Sequence, residues 1–202
     1  MGETLQNFFE SKFGIITTIA AIAVMLFIIM KTDNKKEKKF NIKSLTISAL
    51  MIALAIVLGN IKMFEMPQGG SVTLFSILPI VLCGYLLGTK CGILAGIGAG
   101  LLNLILGPYV VHPVQLLLDY PLAFGALGLS GLMSSSKNGL TKGYILGILG
   151  RFICAFLSGW IFFGSYAPES FNAVTWSLWY NFTYLAAEGA LTLLVINLPP
   201  VK

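Results

Sequence analysis

Long apolar runs separated by short polar breaks make up most of this chain. An apolar run of about 20 residues crosses hydrocarbon as a helix, which satisfies its own backbone polar groups. Seven spans are expected, at about residues 13–30, 44–60, 74–87, 91–106, 114–133, 143–163 and 176–197. The breaks carry turn-forming residues, as in KMFEMPQGGSVT, GPYVVHP, SSSKNGLTKG and GSYAPESFNAVT. Gly92, Gly96 and Gly100 recur every four residues on the fourth span, and Ala49 and Ala53 lie one turn apart on the second. Such rows of small residues let another helix approach closely. The glycine row is not a phosphate loop, since no strand precedes it and no Lys-Ser/Thr follows. Pro121 bends or weakens the fifth span.

Composition agrees with this reading. Of 202 residues 56% are hydrophobic and 10% are charged, whereas a soluble domain carries about 25% charge. The chain is therefore expected to be a polytopic all-α membrane helical bundle. Residues 1–43 would form an amino-terminal transmembrane helix and a basic loop, and residues 44–202 a six-helix membrane domain. The net charge of +5 is no sign of nucleic-acid binding, because six of the thirteen basic residues cluster between Lys31 and Lys43. That cluster is a topology signal, placing the loop and the carboxyl terminus in the cytoplasm and the amino terminus outside. The first span lacks a basic flank before it and a cleavage site after it, so it reads as a retained helix rather than a signal peptide. Cys83, Cys91 and Cys154 have no metal spacing and read as small packing residues.

Charged residues inside apolar spans need a partner or a role. Asp119, followed by Tyr120, lies about two turns into the fifth span. Its expected neighbours are Trp176, Tyr180, Asn181 and Tyr184 on the seventh span, with Trp160 and Phe163 from the sixth. A carboxylate ringed by aromatic faces suits a flat organic cation, through neutralisation and cation–π attraction. The plainer alternative for the rings is an aromatic belt at the membrane interface. Arg151 and Glu188 fall at matching depth on the sixth and seventh spans and are expected to form a structural ion pair. His112 and Gln115 would border the pocket, His112 as a cap or solvent contact. Glu65 and the MPQGG turn form either a lid or a solvated loop. Nothing resembles a nucleotide loop, a metal-binding pair or a nucleophile–base set, so no catalysis and no cofactor are expected.

FEMPQGGSVTLFSILPIVLCGYLLG, GPYVVHPVQLLLDYPLAFGALGLSG, GRFICAFLSGWIFFGSYAPE and WSLWYN together resemble the thiamine-specific substrate-capture (S) components of energy-coupling factor transporters, the ThiT or YuaJ-like family. The resemblance runs from about residue 43 to the end. It implies a six-helix core, so that residues 13–30 would be an extra helix. It also implies thiamine, or a related cationic heterocycle, as ligand, and a transmembrane coupling protein with two ATPase subunits as partners. The family's acidic ligand and following tyrosine fall on Asp119 and Tyr120, its late asparagine on Asn181, and an aromatic on Trp176. A family tryptophan falls near Phe163, and the alanine pattern that docks the coupling protein falls on Ala49 and Ala53. The pattern RFxxHxxSG is broken, with Ala155 in place of histidine. A stand-alone secondary transporter would need internal repeats, and none is evident.

Overall fold

A computed structural model describes residues 41–198, together with Ser11 and Ile16. Apart from Ile16, the expected span at 13–30 lies outside the described residues, as do most of the basic loop and Lys202. Among the described residues six helices form. They are α1 (Ile42–Gly59), α2 (Leu78–Leu87), α3 (Thr89–Leu106), α4 (Pro113–Met133), α5 (Gly139–Phe162) and α6 (Ala173–Ile196). The fold is an all-α membrane helical bundle. By length and composition α1, α3, α4 and α5 can each cross a membrane. The other two depart from that rule in different ways: α2 has only 10 residues, and α6 carries a row of Trp, Tyr, Asn and Glu along one side.

Local chemistry starts these helices where the sequence supplies caps. Asn41 accepts from Ser44 N at 2.8 Å while Ser44 Oγ accepts from Asn41 N at 2.9 Å. Asn172 and Thr175 repeat this reciprocal capping box on α6. On α4, His112 Nδ1 accepts from Val114 N at 3.1 Å and Pro113 occupies the first turn, where no N–H is needed. The helix α4 is not uniform. It widens into a π turn over Leu118–Leu122, with Pro121 inside, and tightens to 3₁₀ over Leu127–Met133. Proline removes a backbone donor and pushes off the carbonyl one turn earlier, and the wider turn accommodates both effects.

The glycine face of α3 explains how this irregular helix is held. A Cβ on Gly96 would stand 2.2 Å from Phe124 O, and one on Gly100 would stand 2.4 Å from Tyr120 O. At Gly92 it would meet Gly84 Cα at 2.4 Å and Gly128 Cα at 2.8 Å. Backbone therefore lies on backbone along the α3–α4 seam, with α2 joining it at Gly84. Around this seam Ile77, Ile80, Val81, Leu127, Tyr144 and Leu185 are fully buried. Cys83 and Cys91 pack with Leu87 and Ala95, and none of the three cysteines forms a disulfide.

The stretch between α1 and α2 folds as a hairpin. β1 (Lys62–Glu65) pairs antiparallel with β2 (Ser71–Thr73), through a 3₁₀ turn at Pro67–Gly69. Gln68 and Gly69 both have positive φ, 67° and 88°. The hairpin's second strand ends beside Glu188 of α6, and α2 begins only at Leu78, four residues later than expected. Ala49 and Ala53 are exposed on α1, alongside Leu45, Leu50, Leu54 and Val57.

Gly96→Ala is expected to cost at least about 2 kcal/mol, because a carbonyl must move. Gly98→Ala meets only the movable end of Ile52, at 3.3 Å, and is expected to be neutral or stabilising. Thermal unfolding in detergent, followed by size-exclusion chromatography, checks the pair.

Candidate ligand site

A cavity of about 460 Å³ lies between the hairpin and helices α4, α5 and α6. Asp119 stands in its wall on the π turn. Its Oδ2 accepts from Gln115 Nε2 at 2.6 Å and from Ser158 Oγ at 2.8 Å. Its Oδ1 has no hydrogen bond among the described residues. Gln115, only 1% exposed, sits one turn before Asp119 on the same face. It also ties down the loop before α4, donating to Tyr109 O and accepting from Val111 N, each at 3.1 Å. Tyr120 does similar work, its hydroxyl accepting from Tyr109 N at 2.8 Å. The carboxylate is thus fixed by two neutral donors, with one oxygen left for a ligand.

α6 supplies an aromatic wall. Trp176, Tyr180 and Tyr184 follow one another at ring separations of 5.8 and 5.9 Å, and all three line the cavity. Asn181 also lines it but is engaged at both ends. Its Nδ2 donates to Ser177 O at 2.9 Å and Ala155 O at 3.2 Å, while Oδ1 accepts from Tyr184 OH at 3.0 Å. Asn181 therefore braces α6 against α5 and sets the Tyr184 ring. Phe163 stacks with Tyr109, 5.8 Å between centroids, near the hairpin end. Ala155 presents only a methyl group to the cavity, between Arg151 and Ser158.

Trp160 is a correction, for it does not line the cavity. The face of α5 that does so carries Arg151, Ala155, Ser158 and Gly159. Trp160 is turned about 100° from Gly159, and stacks instead along Phe156 and Phe152. His112 also stays out of the cavity, capping α4 and stacking on Phe162 at 4.8 Å.

Arg151 and Glu188 are a second correction. Both line the same cavity as Asp119 rather than forming a separate layer, and they form no ion pair. Among the described residues the ion pair is Lys62–Glu65, at 2.6 Å on the exposed hairpin. Glu188 is taken up elsewhere. Its carboxylate accepts from Thr73 Oγ1 at 2.9 Å, Ser76 Oγ at 3.1 Å, and Thr73 N and Ile77 N at 3.4 Å each. Those donors include the start of α2, where unpaired N–H groups and the helix dipole favour an anion. Arg151 instead lies over Phe124, its guanidinium carbon 4.3 Å from the ring centroid.

The hairpin closes the cavity on its remaining side through Lys62, Glu65, Gln68, Gly69 and Gly70. Tyr180 clasps its turn, with the hydroxyl accepting from Gly70 N at 2.9 Å and donating to Pro67 O. Gly70 must lack a side chain here, since a Cβ would stand 2.7 Å from that hydroxyl. No cluster of metal-binding side chains occurs among the described residues.

The family model described as thiamine transporter protein (Thia_YuaJ) matches residues 45–202. The chain belongs to this family. It is a transport protein rather than an enzyme. Its relatives include the thiamine transporter ThiT of Bacillus subtilis strain 168, 39% identical over 74% of this chain and 86% of that protein. Another is the thiamine transporter ThiT of Lacticaseibacillus paracasei, 29% identical over 61% of this chain and 70% of that protein. A solved structure of ThiT from Listeria monocytogenes superposes with a TM-score of 0.66, at 22% identity, over 78% of this chain and 94% of that one. That last likeness is one of fold.

Within this family fold, the separate duties of Arg151 and Glu188 have a measurable consequence. Exchanging the charges, Arg151→Glu with Glu188→Arg, is expected to fold no better than Glu188→Arg alone. An arginine at 188 would face Thr73 and Ile77 N–H donors and leave them unpaired, a cost of about 1–3 kcal/mol per buried group. Yield of monodisperse protein for the three variants is the measurement.

Proposed function

We propose that this chain is the substrate-capture subunit of an energy-coupling-factor-type importer and binds thiamine, or a closely related cationic heterocycle, in the cavity around Asp119. The observation that carries the reading is the carboxylate itself. It is fixed by Gln115 and Ser158, keeps Oδ1 free, and shares its cavity with the rings of Trp176, Tyr180 and Tyr184. Desolvated charge beside aromatic faces attracts a flat cation more strongly than either feature alone. The names of the relatives support thiamine as the ligand. In this reading Tyr120 and Asn181 hold the walls, and Phe163 closes the hairpin end.

Energy would come from a transmembrane coupling protein and two ATPase subunits. The exposed Ala49 and Ala53 on α1 are the small-residue face offered for docking. The cavity mouth would face outward, with the amino terminus outside and the carboxyl terminus in the cytoplasm. Residues 1–43 would form a separate amino-terminal segment beside the membrane domain of 44–202.

One observation favours a ligand somewhat different from thiamine. Ala155 contributes only a methyl where the related pattern has an imidazole, so the wall is open at that point.

Titration of the purified full chain with thiamine, followed by tryptophan fluorescence, tests the site. Asp119→Asn is expected to weaken binding at least about thirtyfold, as expected when one partner of a buried charge pair is neutralised. Binding that survives the substitution unchanged would sink the cation site. Binding of a pyrimidine or thiazole relative in preference to thiamine would move the ligand within the class. Concentrative uptake by the chain alone in proteoliposomes would remove the partners from the account.

A further inference from the structure

The cavity has a second charged pole that the carboxylate does not use. Arg151 makes no hydrogen bond and no ion pair among the described residues, and its Nη1 is sealed from solvent without a partner. A buried guanidinium normally uses its fork of N–H donors on carboxylates, carbonyls or phosphates. Here Glu188, the nearest expectation for a partner, is satisfied by Thr73, Ser76 and Ile77. The face of Phe124 lies against the charge, at 4.3 Å, and Asp119 acts on it through space without a hydrogen bond. An arginine without a hydrogen bond, at the wall of a ligand cavity, has donors to offer.

Asp119 and Arg151 line the same cavity. Ser158, which binds Asp119, stands seven residues from Arg151 on α5, a rise of roughly 10 Å. Between them on the cavity face the helix carries Ala155, the smallest chiral side chain. Opposite poles are thus set about two turns apart, with a shallow wall between.

We infer that Arg151 is the inner end of the ligand site and takes an oxygen acceptor carried on the tail of a ligand whose cationic ring lies at Asp119. This rests on the cation-site reading above and adds to it a requirement on the ligand's other end. The acceptor chemistry is shared by a neutral hydroxyl and by a phosphate ester. A charged donor strengthens either bond, and the guanidinium fork matches phosphate geometry especially well. Ala155 then acquires a role, since a ring at that position would narrow the path along which the tail runs. Arg151 becomes a residue that selects among ligands by their tails.

Three ligands separate the possibilities: thiamine, its monophosphate, and an analogue with a methyl group in place of the hydroxyethyl tail. Each is titrated against the wild-type chain, Arg151→Gln and Arg151→Lys. Wild type is expected to bind at least one oxygen-bearing ligand about tenfold or more tighter than the tail-less analogue. Arg151→Gln is expected to shrink that ratio to within about threefold, whereas Arg151→Lys keeps part of it, most for the ester. The order of alcohol and ester on wild type tells which acceptor the site prefers. Equal weakening of all three ligands by both variants would reduce Arg151 to a brace on Phe124 and overturn the inference. A wild-type chain indifferent to the tail would do the same without any variant needing to fold. Failure of all three ligands to bind wild type would bring down the cation site itself, and this subsite with it.

Discussion

Backbone resting directly on backbone along the α3–α4 seam is the constraint on which the rest of the molecule depends. Gly96 and Gly100 leave no room for a side chain against the carbonyls of Phe124 and Tyr120. That proximity clamps α4 within its π turn and just beyond it, at the place where Pro121 would otherwise leave the helix free to kink. The extra residue of the π turn changes which side chains face inward, and Asp119 is one of them. A helix this irregular survives in an apolar bundle only because its neighbour fits it closely over several turns. The geometry of the candidate site is therefore a consequence of glycine spacing on a helix that contributes few side chains to it.

A second theme is how carboxylates are kept inside a bundle that is poor in cations. Neither Asp119 nor Glu188 uses a salt bridge. Asp119 takes an amide and a hydroxyl, Glu188 two hydroxyls and the N–H groups of Thr73 and Ile77. Neutral donors satisfy a carboxylate without bringing a counter-charge that must itself be desolvated. They also leave the carboxylate able to attract a cation from outside the protein. The difference in donor number fits a difference in role, for Glu188 is fully occupied in joining α6 to the foot of the hairpin.

Much of the fold could be read in advance because its signals are local. Apolar runs and breaks at turn residues placed the described helices to within a few residues. The four-residue rows of Ala and Gly marked two faces, and the contacts of the Gly row are those expected of small residues. Position along a helix, however, does not reveal depth in three dimensions. The descending strand that brings Thr73 to Glu188 left no mark except polar residues in an apparent loop, so Glu188 was matched to Arg151 by depth alone. Trp160 was placed by proximity in sequence to Phe163, although α5 turns it onto the row of Phe152 and Phe156. Gln115 was expected at the pocket border, and its four-residue offset from Asp119 is what lets it bond the carboxylate. Ser158 was the least visible site residue, a helix-to-helix contact with no sequence signature.

The hairpin is held at two points by one helix, through Tyr180 at its turn and Glu188 at its foot. Its twelve residues, 62–73, are thereby ordered by hydrogen bonds internal to the chain. Fixing a backbone costs roughly 1–2 kcal/mol per residue in conformational entropy, so ordering this stretch involves on the order of 10 kcal/mol. Because the protein's own bonds oppose that loss, it falls on folding rather than on association. A ligand entering the cavity then meets a wall already preorganised, and its contacts need not offset the ordering of a loop. Affinity at such a site is set as much by the tightness of that clasp as by the groups that meet the ligand.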